Sequence, residues 1–277
     1  MTGRLVVLGG CGAWPEAGRA CSGFFVEYDG FRVVLDLGYG TLPRLLALLE
    51  SVTAAGVDAV VVTHEHPDHM VDLHGLFRAR WFGARGSPPV PLYAPQAVLE
   101  HVGILEGLPS DAPPLRAVFE WHPIPASAYA MGPFALESWL LPHYVPNAGV
   151  RLSADELTLA YTGDTGPCAE LTELGRNADL YIIDATDRAQ RSPTAADPPE
   201  PPMLLTGRQA GEAAATAGAR RVLLTHFWPA NDRERTRADA ADAFTGEILL
   251  ADEGLVVPLH EPLGPRHRLR RPTKRNL

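Results

Sequence analysis

Val57 to His69 read VDAVVVTHEHPDH: an apolar run ends on Thr63, and the next six residues carry three histidines, a glutamate and an aspartate. The aliphatic stretch Ala59 to Val62 predicts a strand buried on both faces, and α/β folds collect their chemistry at the C-terminal ends of such strands. His64 and His66, two apart on extended backbone, project to one side and can converge on one cation. Asp68 and His69 fall on the turn that opens the next helix. Tetrahedral geometry does not readily draw four ligands from six consecutive residues, so these two suit a second cation a few ångströms away. A plainer reading makes them surface or capping groups, with Asp68 as a helix N-cap; it leaves three histidines at H-x-H-x-D-H spacing unexplained. Strand alternation turns Glu65 away from both positions.

Outward from this cluster the chain alternates short apolar strands with amphipathic helices. RLVVLG, GFFVEY and FRVVLDLG predict three opening strands. Thr41 is then expected to cap a helix with Leu42, Leu45, Leu46, Leu49 and Val52 on one face, stopped by Gly56. The strand DAVVV, a helix around Leu73 to Arg80, the strand VPLYAP and a helix from Gln96 follow. FALESWLLPH, GVRLSA and LTLAYTGD predict a further run of strands. The rest reads helix AELTELGRNA, strand DLYIIDA, helix GRQAGEAAATAG, strand RRVLLTH, a helix around Arg235 to Phe244, and strands EILLAD and LVVPL. Gly56 to His64 (GVDAVVVTH) and Gly218 to His226 (GARRVLLTH) share a spacing of helix stop, aliphatics, Thr and His. They predict two pseudo-symmetric halves with a site between them, the alternative being chance similarity of βα units.

At 277 residues, with 46% hydrophobic and 21% charged, the chain suits one domain built around a single core. That domain is expected to span 1–262, with 263–277 as a basic tail. The tail carries six Lys and Arg and no acid, so 18 basic residues face 33 acidic ones in the body, near −15. Such a body is a poor match to a long polyanion, because nucleic-acid affinity rests on phosphate neutralisation. A nucleic-acid partner is therefore compatible but not favoured. Cys11, Cys21 and Cys168 are odd in number and form no C-x-x-C pair, which points to reduced thiols. With no apolar run of eighteen residues and no charged leader before the first strand, a cytoplasmic location and no membrane partner are expected. A homodimer is compatible with this composition. The Pro-rich stretch Arg191 to Met203 predicts a long loop, or lid, beside the site.

THEHPDH, PHYVPNAGVRL around His143, YTGDTG around Asp164 and LTHFWP around His226 together resemble the metallo-β-lactamase-fold superfamily. The resemblance is closer to its ribonuclease Z-like branch and to the related atypical cyclic-nucleotide phosphodiesterases, and it runs from the LGGCGAW segment to about Leu259. It implies an α/β fold, the αββα sandwich, with a dinuclear centre at one edge. His64, His66 and His143 would hold one ion, Asp68, His69 and His226 the other, with Asp164 bridging. Five imidazoles and two carboxylates suit two zinc ions, with manganese or iron also admissible. By the same resemblance Asp68 would also accept a proton from the attacking water. Asp36 and Asp184, at strand ends, read as carboxylates that orient ligand imidazoles, with turn formation the alternative. His74, His101, His122, His260 and His267 lack a motif and are expected to be structural.

Class B β-lactamases lack an aspartate of the GDTG type, and a glyoxalase-like thioesterase would need a helical extension after His226. A small phosphodiester, a cyclic nucleotide as the best specific case, is therefore the expected substrate. Transfer-RNA 3′ processing is the alternative. Two departures weigh against it: only a hairpin's length separates His143 from Asp164, where ribonuclease Z enzymes commonly insert a tRNA-binding arm, and Leu204 stands where they place a proton-donating histidine. A catalytically weak metal-binding interaction module is the non-enzymatic alternative.

Overall fold

The structure is a computed structural model that describes residues 3–125, 128–186 and 203–259. The Pro-rich segment before Met203 and the basic tail, with the expected boundary at residue 262, lie outside the described residues. The chain opens with strands β1 (Gly3–Gly9), β2 (Gly23–Tyr28) and β3 (Phe31–Leu35), paired antiparallel in sequence order. From β3 onward the pairing is parallel, through helix α1 (Thr41–Leu48), β4 (Ala59–Val61), α2 (Pro67–Gly83), β5 (Val90–Ala94), α3 (Gln96–Glu106), α4 (Pro113–Val118) and β6 (Phe119–Pro123).

The second sheet repeats that scheme. Strands β7 (Tyr129–Met131), β8 (Phe134–Leu141), β9 (Asn147–Ser153) and β10 (Thr158–Tyr161) are antiparallel. Parallel pairing then continues through α5 (Glu170–Leu174), β11 (Leu180–Asp184), α6 (Gly207–Ala217), β12 (Arg221–Thr225), α7 (Arg233–Ala241) and β13 (Glu247–Leu250). A last strand, β14 (Val256–Pro258), returns to the first sheet and pairs with β1. The sheet orders are β14-β1-β2-β3-β4-β5-β6 and β13-β12-β11-β10-β9-β8-β7.

Period-two alternation produces the layers, because successive strand residues face opposite sides. Leu5, Val7, Phe24, Val26, Val33, Leu35, Ala59 and Val61 point between the sheets, where they meet Phe134, Leu136, Val150, Leu152, Leu159, Ile182 and Leu223. The intervening Val6, Leu8, Phe25, Val34, Val60 and Val62 bury against α1 to α4. Tyr181, Ile183, Val222 and Leu224 do the same beneath the helices of the second half. The result is the expected αββα sandwich.

Several local expectations are corrected. Thr41 is the first residue of α1, not its cap; Gly40 holds the cap position in a left-handed conformation, and the Thr41 hydroxyl donates to the Gly38 carbonyl at 2.7 Å. The helix ends at Leu48, short of Gly56, and Val52 lies on the surface at 85% exposure. Helix α2 begins at Pro67, inside the histidine cluster, so Asp68 sits in its first turn and His66 takes the N-cap. Helix α4 and strands β6 and β7, of 6, 5 and 3 residues, are too short to show a period in the sequence. The Gly56/Gly218 echo is offset by one strand: counted from the antiparallel-to-parallel switch at β3 and β10, β4 corresponds to β11, whereas β12 corresponds to β5. The two halves are real, but that similarity reflects two buried parallel strands rather than equivalent ones.

Candidate metal centre

The C-terminal ends of β3, β4, β8, β10, β11 and β12 face one edge of the sandwich, and every predicted site residue lies there. Asp36 follows β3, His64 follows β4, His143 follows β8, Asp164 follows β10, Asp184 ends β11 and His226 follows β12. Two donor groups result, each with its ligand atoms within 4.8 Å of one another. One is His64, His66, His143 and Asp164; the other is Asp68, His69, Asp164 and His226.

The hydrogen bonds assign the ring protons. A carbonyl can only accept, so His143 Nδ1, 3.0 Å from the Met203 oxygen, carries the hydrogen and leaves Nε2 bare. Thr63 gives its hydroxyl proton to Asp36 and accepts from His64 Nδ1 at 3.1 Å, which likewise bares His64 Nε2. These two Nε2 atoms lie 3.1 Å from His66 Nδ1. In the second group, Asp36 Oδ2 receives His69 Nδ1 at 2.7 Å, turning His69 Nε2 toward Asp164 Oδ1 at 3.1 Å, and neither of those atoms has a hydrogen-bond partner. His226 Nδ1 meets the Thr186 hydroxyl, while its Nε2 lies 3.1 Å from Asp68 Oδ2 and 3.0 Å from Asp164 Oδ2. His66 Nδ1 can donate to only one of the two bare nitrogens beside it, and the close approach of His69 Nε2 to Asp164 Oδ1 carries no hydrogen bond, so cations between these donors would satisfy both groups; tetrahedral zinc with bonds near 2.0 Å separates its ligand atoms by about 3.3 Å. The donors therefore fit divalent metal.

Burial and charge divide the groups. Burial first, and then the neighbouring imidazoles, hold His64 well below the ordinary histidine range, and burial lowers His143 to about 4 against the pull of Asp164. Burial also works against protonated His69 and His226, but the carboxylates of Asp164 and Asp68, with Asp36 or Asp184, overcome it and raise both. Asp68 is itself held far below the usual carboxylate range: burial opposes this, yet His69, His226 and the Ala13 amide outweigh it. That amide donates to Asp68 Oδ2 at 2.6 Å.

Backbone conformation adds to this arrangement. Ala13 (φ 62°), Asp36 (φ 58°) and His226 (φ 62°) all occupy the left-handed region, uncommon for residues with a Cβ. Gly163 (φ 58°) needs its missing side chain, since a Cβ would meet Asn147 Oδ1 at 2.4 Å. The Asn147 amide in turn donates to the carbonyls of Thr162 and Asp164, at 2.9 and 2.6 Å, fixing the GDTG turn.

Asp36 orients His69 directly. Asp184 does so only through an intermediary: Thr186 stands between its carboxylate and the His226 ring, 3.7 Å away. Burial, reinforced by Asp164, pushes Asp184 up to about 7. Thr63, Thr186, the Ala13 amide and the Met203 carbonyl were missed as site residues; of these only Thr63, repeated in the two Thr-His pairs, left a trace in sequence. Glu65 faces away, within 3.3 Å of His101. His74 pairs with Glu106 at 2.6 Å and His122 stacks on Tyr93, as structural histidines do. All three cysteines are free. His260 and His267 lie outside the described residues.

Residues 31–227 match the family model described as the beta-lactamase superfamily domain. The chain belongs to that superfamily. Among its superfamily relatives, an uncharacterized protein of Mycobacterium leprae is 30% identical over 273 residues, covering 95% of this chain and 90% of the relative. A ribonuclease Z of Kineococcus radiotolerans is 29% identical over 307 residues, covering 92% and 95%. The crystal structure of the metallo-beta-lactamase fold protein YhfI of Bacillus subtilis superposes with a TM-score of 0.79 at 25% identity, over 93% of this chain and all of that one. This superfamily member is a metal-dependent hydrolase.

Proposed function

We propose that the chain hydrolyses a small phosphodiester, a cyclic nucleotide being the best specific case. Two divalent ions, zinc or in its place manganese or iron, would sit in the two donor groups. The observation that carries this reading is the pair of groups sharing Asp164. Divalent cations held there would acidify a water to near neutrality and withdraw charge from a phosphoryl oxygen during in-line attack.

The chain's own residues supply the rest. Asp68, fixed at one oxygen by the Ala13 amide, would take the proton of the attacking water and return it to the leaving oxygen. Asp36 and Thr63 hold His69 and His64, and the Met203 carbonyl holds His143, so the imidazoles need no reorganisation when substrate arrives. Leu204 lies between Met203 and Leu205, whose amide donates to Asp184 at 3.2 Å. A leucine at that place offers no proton, so turnover should be modest.

Three features favour a small substrate. The body is acidic. Between His143 and Asp164 the chain runs through β9 and β10 with only four residues, 154–157, linking them. The match to the Kineococcus ribonuclease Z spans 307 positions yet covers 92% of this chain, so about fifty positions of that relative have no counterpart here. No helix among the described residues is long and apolar enough to cross a membrane, which is compatible with work on a cytoplasmic metabolite. The 29% identity to a ribonuclease Z keeps tRNA processing as the second reading.

The test is to assay metal-analysed protein against bis-p-nitrophenyl phosphate, 3′,5′-cyclic nucleotides, precursor tRNA, a lactam and a thioester. Hydrolysis of the nitrophenyl diester and of at least one cyclic nucleotide is expected, with little or no tRNA cleavage. A kcat/KM on precursor tRNA well above that on every cyclic nucleotide would overturn the small-substrate reading.

A further inference from the structure

The mechanism leaves unused a pair of tryptophans at the rim of the centre. Trp14 follows Ala13, whose amide holds Asp68, and Trp228 is two residues beyond His226. Their ring centroids are 5.8 Å apart with planes inclined at 53°, forming an open wedge. Trp228 is half-buried and backs the wedge, whereas Trp14 is 48% exposed. A soluble chain gains nothing in stability from holding so large an apolar face in water beside its reactive edge.

The loop that presents Trp14 is fixed from several directions. Its Gly12 amide donates to the Phe227 carbonyl at 3.0 Å, and the Phe227 amide donates back to Gly10 at 3.0 Å. Glu16 accepts the Ala230 amide at 2.8 Å, Glu253 accepts the Ala20 amide at 2.9 Å, and Arg19 pairs with Asp252 at 2.7 Å. Gly12 lies so close to the ligand loop that a Cβ there would stand 2.6 Å from the His226 ring. The backbone that carries Trp14 is thus fixed beside Asp68 and His226, with the Ala13 amide on one and Gly12 against the other.

We propose that Trp14, backed by Trp228, is the stacking platform for the nucleobase of the substrate and so sets a preference for nucleotides over other phosphodiesters. This rests on the phosphodiesterase reading and adds to it the part of the substrate that is recognised. A rigid indole loses little conformational freedom on binding, and stacking is tolerant of base identity. The platform therefore selects for a base without strongly choosing among bases.

The experiment compares adenosine 5′-monophosphate with ribose 5-phosphate, which carries an anomeric hydroxyl in place of the base, on the metal-loaded full chain. Calorimetry gives affinities for wild type, Trp14→Ala and Trp14→Phe, and tryptophan emission provides a readout that needs no variant. Wild type should bind the nucleotide roughly tenfold more tightly, the scale of one base stack, with emission quenched by the nucleotide alone. Trp14→Ala should abolish that difference while leaving ribose 5-phosphate affinity unchanged, and Trp14→Phe should keep part of it. On cyclic nucleotides Trp14→Ala should raise KM about tenfold and hold kcat within about twofold. Equal affinity of wild type for the two ligands, or the same ratio in Trp14→Ala as in wild type, overturns the platform; diester hydrolysis by the same preparation would then leave the phosphodiesterase reading standing. A base preference lost on Trp14→Ala, in a protein that cleaves no diester, would instead keep the platform and sink the assigned reaction.

Discussion

The two donor groups share Asp164 but treat protons in opposite ways. The group of His64, His66 and His143 is imidazole-rich, and burial makes the His64 and His143 rings resist protonation. The group of Asp68, His69 and His226 is carboxylate-rich, and its rings attract protons. A cation entering the first meets rings that resist protonation, whereas a cation entering the second competes with protons that the carboxylates favour on His69 and His226. One site is ready for metal by geometry, the other by charge.

The largest effect should come from removing what the groups share. Asp164→Ala should lower turnover by more than about a thousandfold and leave less than one reproducible metal equivalent, because both groups lose a ligand. Elemental analysis after reconstitution checks this; retention of a full equivalent would show that the imidazole-rich group stands alone. Asp68→Ala tests the carboxylate-rich side and should lower kcat by at least about a hundredfold while circular dichroism stays native. Near-normal turnover would remove Asp68 from the proton path.

Supporting residues sharpen the contrast. Asp36 holds His69 directly and His64 through Thr63, so Asp36→Asn should weaken both equivalents, by roughly 10–100-fold in metal affinity. Thr186 meets only the His226 ring, so Thr186→Val should weaken one equivalent and spare the other. Competition titration with a chromophoric chelator separates these outcomes. The pH dependence has a definite sign. The His143 pKa lies near 4, so protons no longer compete in its group at neutral pH; the raised values at His69 and His226 keep protons competing there. The second equivalent should gain affinity by about tenfold per pH unit for each proton displaced, until its histidines are neutral, while the first changes little. Equal slopes for both, in dialysis between pH 6 and 8, would contradict the contrast. The smallest effect is expected from Leu204→His, which should speed cleavage of poor leaving groups several-fold and nitrophenolate hardly at all, since nitrophenolate needs little protonation.

The imidazole cluster was legible because its spacing is local: H-x-H-x-D-H fixes three imidazoles and a carboxylate whatever the rest of the chain does. His143 and Asp164 came instead through the resemblance, since nothing local ties them to His64, whereas His226 was also marked by the Thr-His pair that GARRVLLTH shares with GVDAVVVTH. Asp36 and Asp184 were legible as strand-end carboxylates, but only coordinates show that Thr186 stands between Asp184 and His226. The Ala13 amide and Met203 carbonyl left no signal, because a backbone group has no letter of its own. The α/β class followed from alternating strands and helices, whereas the αββα sandwich followed from the resemblance. What failed were marginal elements: Val52 matched helical spacing but fell beyond the helix end, and the half-polar strand FEWHP did not register as β6.

The shared edge has a consequence for how the chain acquires its centre. His226 and Asp68 are 158 residues apart, and the donors come from both sheets. Neither sheet owns a complete set, so the centre can close only after the two sheets have docked across their common core. Metal capture is therefore a late event in folding, and a bound ion clasps the sandwich rather than seeding it. Nascent chains emerging N-terminal half first would display THEHPDH well before its partners exist, leaving that segment a loose chelator until β12 arrives.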